Sequence, residues 1–196
     1  MTPALDALLR ELEQFGETND AQAADRSQKM LNITRDTGVF LAVLIKAARC
    51  GSVLEIGTSN GYSTLWLADA VGDAGRVTTI ERAAHKIAMA GRNFTAGGLA
   101  GRIAQVSDDA GRYLAGASDA AHDFLFLDSE RSEYVGWWSA LQRVLRPGCL
   151  LVVDNAISHV EQMAAFRAAV DATPGYVSSL VPIGNGELVI LKDTSA

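Results

Sequence analysis

Between Ser52 and Lys192 the chain repeats one pattern: a short, unbroken apolar run, a break carrying glycine or an acid, then a stretch with helical apolar spacing. The runs are "SVLEIG", "GRVTTIE", "RIAQVS", "DFLFLD" and "CLLVVDN". Helical patterns follow them in "GYSTLWLADAVG", Ala83–Ala96, Ala110–Ala115, Tyr134–Leu145 and His159–Ala172, with stops at Gly72, Gly97-Gly98, Pro147-Gly148 and Pro174-Gly175. Strands that are apolar throughout are buried on both faces, and a helix between consecutive strands makes the crossover that parallel pairing needs. The pattern therefore predicts an α/β fold, a mostly parallel sheet with helices on both faces. Two more runs, "YVSSLVP" and "GELVILK", joined by Gly184-Asn185-Gly186, read as a hairpin. They complete a seven-stranded sheet whose last strand is antiparallel.

Ahead of this core, Leu5, Leu8, Leu9 and Leu12 recur at helical spacing and predict an amphipathic helix up to Phe15. "GETNDAQAADRSQK" reads as a loop with a short turn, and Val39–Ala48 as a second helix. With no internal repeat or linker, 1–196 is expected to form one domain, a helical segment 1–50 and an α/β core 51–196; 196 residues suffice for one hydrophobic core. A net charge of −6 argues against nucleic acid as a partner, because neutralising phosphates requires a basic surface. It leaves open ligands held by backbone groups. Cys50 and Cys149 read as small buried hydrophobes in a reducing compartment. Acids inside the N-terminal apolar pattern exclude a signal peptide, and no run approaches the roughly 20 residues that span a bilayer. The expectation is a cytoplasmic protein with no membrane partner. The first helix could also pack against a second subunit, as a homodimer.

The turn "VLEIGTSNGYST" runs from strand into helix, where open α/β sheets bind their ligands. Gly57 lets the backbone turn tightly and a ligand approach it. The Gly57-to-Gly61 spacing, G-x-x-x-G, departs from the dinucleotide fingerprint G-x-G-x-x-G. Glu55 sits where a pyrophosphate would be repelled and suits an ammonium group better. Glu81 closes the second strand, where a carboxylate accepts both hydroxyls of a ribose. Either acid alone is equally well a solvated strand end; the set points to a cationic, ribose-bearing cofactor without phosphate, S-adenosylmethionine. Asp108-Asp109 follows the third strand, where an adenine amino group could be met, although Asp109 reads as well as a helix N-cap.

With these motifs the chain resembles the class I S-adenosylmethionine-dependent methyltransferases with a Rossmann-like fold. More narrowly it resembles the cation-dependent O-methyltransferases, the group of caffeoyl-CoA and catechol O-methyltransferases. The likeness covers nearly everything after about Met30, most specifically "VLEIGTSNGYST", "VTTIE", "FLFLDSERSEY" and "LRPGCLLVVDN". It implies cofactor contacts at Ser59, Ser63 and Asp128 beside the residues above. "MLNITRDTG" is similar to the family segment passing over the cofactor, implicating Asn32 and Ile33.

Asp128 ends the fourth strand and Asp154-Asn155 the fifth. Neighbouring strands lie about 4.8 Å apart, and two carboxylates that close repel unless a cation lies between them or one is protonated. Two acids and an amide oxygen suit a hard octahedral cation such as Mg²⁺, and the absence of His or Cys argues against zinc. The alternative for each acid is a polar strand cap; the resemblance assigns all three positions to the metal. The implied reaction is methylation of a hydroxyl on a small aromatic diol of the catechol type. The family commonly has a lysine base three positions after Asp128; here that residue is Arg131, which cannot be deprotonated and is left to stabilise an oxyanion electrostatically. Arg131 could instead be a surface residue paired with Glu130 or Glu133. His159 is the one titratable candidate for a base near the fifth strand, or an exposed helix start. His85 and His122 read as helix-start and turn residues. Tyr134, Trp137 and Trp138 could wall an aromatic pocket or belong to the core, and the loop "VPIGNGE" supplies no further acid to the acceptor. The competing readings are a non-catalytic cofactor-binding protein and a nicotinamide-dependent oxidoreductase.

Overall fold

The computed structural model describes residues 1–195. Two helices lead in. α1 (Pro3–Gln22) starts where the Thr2 hydroxyl accepts the Leu5 N–H, and α2 (Arg35–Ala48) where the Thr34 hydroxyl accepts the Thr37 N–H. The alternating core follows: β1 (Ser52–Ile56), α3 (Tyr62–Ala70), β2 (Arg76–Glu81), α4 (Ala84–Ala96), β3 (Ile103–Ser107), α5 (Ala110–Gly116), β4 (His122–Leu127), α6 (Tyr134–Val144), β5 (Leu145–Val153) and α7 (Val160–Asp171). It ends in the hairpin β6 (Tyr176–Val181) and β7 (Glu187–Lys192).

The seven strands form one sheet in the order β3-β2-β1-β4-β5-β7-β6. β1, β2, β3, β4 and β5 pair in parallel, and β7 inserts antiparallel between β5 and β6. The expected α/β architecture is therefore present, with the odd strand placed beside β5. Successive side chains of a strand point to opposite faces, so the sheet feeds two cores. Phe124 and Phe126 of β4 pack with α1, α2, α3 and α4, while Leu125 and Leu127 pack with α5, α6 and α7. All four are fully buried, each contributing about 1.5–3 kcal/mol of transfer free energy.

Two boundaries differ from expectation. α1 does not stop at Phe15 but continues to Gln22, because its last turns have tertiary partners: the Asp20 carboxylate accepts the N–H groups of Met30 and Leu31. β5 begins at Leu145, so Pro147-Gly148 lies within the strand and does not end the helix. The register with β4 shifts there, from His122 opposite Leu145 to Phe124 opposite Leu150, and the irregularity accommodates the proline. The apolar stripe of α1 is used inside the chain, with Leu5, Leu9 and Leu12 buried against α3 and its neighbours. His122, expected in a turn, is a buried β4 residue bonded to the Ser52 hydroxyl. His85 is an exposed residue of the first turn of α4. Cys50 and Cys149 are free thiols, buried and half-buried. Among the described residues no helix is long and apolar enough to cross a membrane.

Candidate active site

Strand order reverses between β1 and β4, and a cleft of about 990 Å³ opens beyond the carboxyl ends of the strands at that point. Gly57 forms its floor. It has φ +111°, and a Cβ there would lie 2.8 Å from the carbonyl carbon of Asp128 and closer still to its oxygen. Only glycine permits that approach of two strand ends.

One side of the cleft is built for a polar ligand. Glu81 is aimed by three backbone donors, accepting from the N–H groups of Ser59 at 3.0 Å, Arg82 at 2.9 Å and Ala83 at 2.9 Å. Ser59, itself at positive φ, donates its hydroxyl to the Met30 carbonyl at 2.7 Å, tying the 26–34 segment across the cleft. Asn32 donates to the Leu12 carbonyl at 3.0 Å, while its Oδ1 is buried and meets no donor among the described residues. Ile33 is buried and also lines the cleft. The Ser129 hydroxyl is likewise buried without a partner on the cleft wall. These orphan polar atoms fit a ligand that supplies their missing hydrogen bonds. Asp108 and Asp109 reach the same cleft, with Asp109 also capping α5 through the Arg112 N–H at 3.0 Å.

Two expected cofactor residues do not line it. Glu55 is fully buried, and its carboxylate accepts hydroxyl hydrogen bonds from Ser63 at 2.5 Å, Thr79 at 2.6 Å and Thr64. Burial pushes its pKa up to about 7. Strand pleating turns this side chain toward the first turn of α3, so it reaches the cleft only through Ser63, which does line it. Gly61 (φ +87°) serves packing at the head of α3: a Cβ would meet the Phe94 ring of α4 at 2.5 Å.

The other side holds the acids. β4 and β5 are parallel neighbours, so Asp128 and Asp154 emerge together. The Asn155 amide lies 3.3 Å from Asp128 Oδ1 and 2.9 Å from Asp154 Oδ2. Burial first, then the Asp154 carboxylate, holds the Asp128 pKa well above the ordinary range; burial raises Asp154 as well. Arg131 is 6% exposed and is no surface residue: its Nε donates to Gln162 Oε1 at 2.8 Å, and its charge counters both acids. His159 lies at the rim beside Ser158, with its pKa lowered by burial and by Arg131 and Arg26. Trp137 lines the cleft. Trp138 and Tyr134 belong to the core, Trp138 donating to the Thr173 hydroxyl at 2.9 Å and the Tyr134 hydroxyl accepting the Ser129 N–H at 2.7 Å. Glu187, the acid that follows the "VPIGNG" turn and opens β7, is fully buried, accepts from the Thr37 hydroxyl at 3.0 Å and does not line the cleft.

A glycine-floored cleft at the switch point, a ribose-type acid closing β2 and an inserted antiparallel β7 define a Rossmann-like domain of the methyltransferase kind. A family model described as O-methyltransferase matches residues 5–172, and the chain belongs to that family. It is 34% identical over 125 residues to a catechol O-methyltransferase of Mycobacterium tuberculosis, covering 64% of this chain and 57% of that protein. A catechol O-methyltransferase of Niastella koreensis is 30% identical over 140 residues, covering 68% and 62%. The chain thus spans less than two thirds of the length of these relatives. The crystal structure of an O-methyltransferase from Bacillus cereus in complex with SAH superposes with TM-score 0.78 at 22% identity, over 95% of this chain and 91% of that one. Family membership sets aside the nicotinamide-dependent reading.

Proposed function

We propose that this protein transfers the methyl group of S-adenosylmethionine to a hydroxyl of a small catechol-type aromatic substrate, with a divalent cation, Mg²⁺, held by Asp128, Asp154 and Asn155. The observation that carries the reading is the meeting of two raised carboxylates with one amide at the ends of β4 and β5. With the amide oxygen turned toward them, three hard donors face a single point, a set that fits such an ion. When bound, the ion favours the ionised form of a chelating hydroxyl, whose unperturbed pKa is about 10.

The chain's own groups do the rest. Glu81, fixed by three N–H donors, accepts the ribose hydroxyls, and Gly57 lets the cofactor close on the backbone. The 26–34 segment, pinned through Ser59, Asp20 and Leu12, covers the reacting centre and excludes water. The Arg131 guanidinium serves as a fixed positive charge beside the developing oxyanion. Asp128 sits between both halves of the cleft and orients acceptor and cofactor toward each other. Trp137 offers an aromatic wall for the acceptor ring.

The test is incubation with a catechol panel, S-adenosylmethionine and Mg²⁺, with and without EDTA. A methylated diol that disappears with EDTA is the expected result. Product unaffected by EDTA contradicts the cation, and binding of S-adenosylhomocysteine without turnover on any diol favours a non-catalytic cofactor-binding protein.

A further inference from the structure

We propose that Asp20 is a positioning residue for cofactor binding: its carboxylate holds Leu31 in a left-handed bend, and that bend shapes the 26–34 segment into a strap over the cofactor. The inference rests on the cofactor reading above and concerns which backbone conformation the pinned segment must hold.

The backbone locates the bend. Lys29 (φ −75°, ψ 144°) and Thr34 (φ −71°, ψ 158°) are extended, whereas Leu31 between them has φ +52°. Leucine is unfavourable in that region because its Cβ crowds the following carbonyl oxygen; glycine and asparagine are the residues usually found there. Burial does not compensate, since the Leu31 side chain is 47% exposed at the cleft mouth. Asp20, in the last turn of α1, supplies the hold: its Oδ1 accepts the Met30 N–H at 2.6 Å and its Oδ2 the Leu31 N–H at 2.8 Å. Two N–H groups on one carboxylate fix the orientation of the peptide between Met30 and Leu31, and bonds to a charged acceptor are stronger than neutral ones. Asn19 steadies that acceptor, its Nδ2 donating to Asp20 Oδ1 and to the Gln28 carbonyl, each at 2.9 Å. The bend decides what faces the cofactor. It leaves Leu31 half outside and turns its neighbours in: Met30 and Ile33 are buried and line the cleft, the Met30 carbonyl accepts the Ser59 hydroxyl at 2.7 Å, and Asn32 brings its unpartnered Oδ1. An extended Leu31 would change the chain direction beyond it and carry Asn32 and Ile33 away from the cofactor side.

Calorimetric titration of S-adenosylhomocysteine into the full chain compares wild type and Asp20→Asn, each alone and with Leu31→Asn or Leu31→Val. Asp20→Asn keeps the size but offers one acceptor oxygen where two N–H groups point, and should bind about tenfold more weakly, the scale of one bond to a charged group. Asparagine tolerates the left-handed region, and valine, being β-branched, resists it. Added to Asp20→Asn, Leu31→Asn should therefore recover most of the affinity and Leu31→Val should lower it further. A purely apolar contact of residue 31 would give the opposite order, because valine stays apolar and asparagine does not. Amide hydrogen exchange over 26–34 without ligand should follow the same ranking, faster in Asp20→Asn than in wild type and slowed again by Leu31→Asn. Asp20→Asn binding as tightly as wild type overturns the proposal, and so does a Leu31→Val double variant that binds no more weakly than the Leu31→Asn one. If Asp20→Asn does not fold by circular dichroism, the two Leu31 single variants carry the test: Leu31→Val should bind more weakly than Leu31→Asn, and equality or the reverse order overturns the bend. Failure of the wild type to bind S-adenosylhomocysteine overturns the cofactor reading and the bend together, whereas binding that no variant disturbs overturns the bend alone.

Discussion

Replacing Gly57 by alanine tests whether the cleft floor is a contact between strand ends or only a flexible turn. Two costs add. The residue has φ +111°, outside even the left-handed region, and a side chain held there is strained by about 1–3 kcal/mol. The new Cβ also lies 2.8 Å from the Asp128 carbonyl carbon, backbone that cannot rotate away, so β4 must shift at an overpacking cost of about 1–3 kcal/mol. Gly72 supplies the control. It has φ +73° with nothing within 4 Å of the methyl group that alanine would add, so Gly72→Ala carries only a left-handed penalty of about 1–2 kcal/mol. For a chain of this size each kcal/mol moves Tm by about 2–4 °C, so Gly57→Ala should melt roughly 10 °C below wild type and Gly72→Ala only a few degrees below. Thermal circular dichroism measures both, and calorimetric titration with S-adenosylhomocysteine should show weakened binding for Gly57→Ala alone, because the shift moves Asp128. Equal melting points for the two variants would refute the argument that the Asp128 backbone is what demands glycine.

Two further predictions follow from charge. Arg131→Lys retains a cation beside the acids and should keep turnover of a catechol within about tenfold, whereas the neutral Arg131→Met should lose about 10²–10³-fold in kcat, the scale of one missing oxyanion partner; steady-state kinetics at saturating Mg²⁺ decides, and a methionine variant as fast as wild type removes Arg131 from the mechanism. Glu55, with its pKa raised to about 7 in the fold, binds more protons folded than unfolded between its ordinary value of 4.5 and that point, so its contribution to stability is present below pH 4.5 and is lost as pH rises through the window. Relative to Glu55→Gln, the wild type should therefore lose up to about 3 kcal/mol from pH 4.5 to 7 in urea unfolding, and parallel pH profiles for the two proteins would contradict it.

The fold is legible because its strands are apolar on both faces, a pattern few other arrangements share, and because Gly184-Asn185-Gly186 marks the hairpin locally. The boundaries that sequence alone misplaces depend on distant partners. Nothing near Gly16 announces that Asp20 will hold the backbone of Met30 and Leu31, and nothing near Pro147 announces a register shift against β4. The site divides the same way. Asp128, Glu81 and Asp154 close strands, and their position along the sheet follows from sequence order alone. The direction of Glu55 depends on which face the pleat presents, and its alternative partners, Ser63, Thr64 and Thr79, come from two other elements.

The charge balance around Arg131 is the least legible part of the site. With Glu187 holding its proton, the ends of β4, β5 and β7 carry two ionisable carboxylates and a single guanidinium. If both carboxylates ionise, one negative charge is left in a buried place, too much for Arg131 to balance alone. On the proposed reading, that excess is what a divalent ion would offset. On the same reading, an ion held by these acids would favour the ionised form of the acceptor hydroxyl, and residue 131 would need to supply only a fixed positive charge. On this view arginine is a substitution toward permanence of charge, and the chemistry that a lysine would perform by exchanging a proton is divided between the ion and a fixed cation.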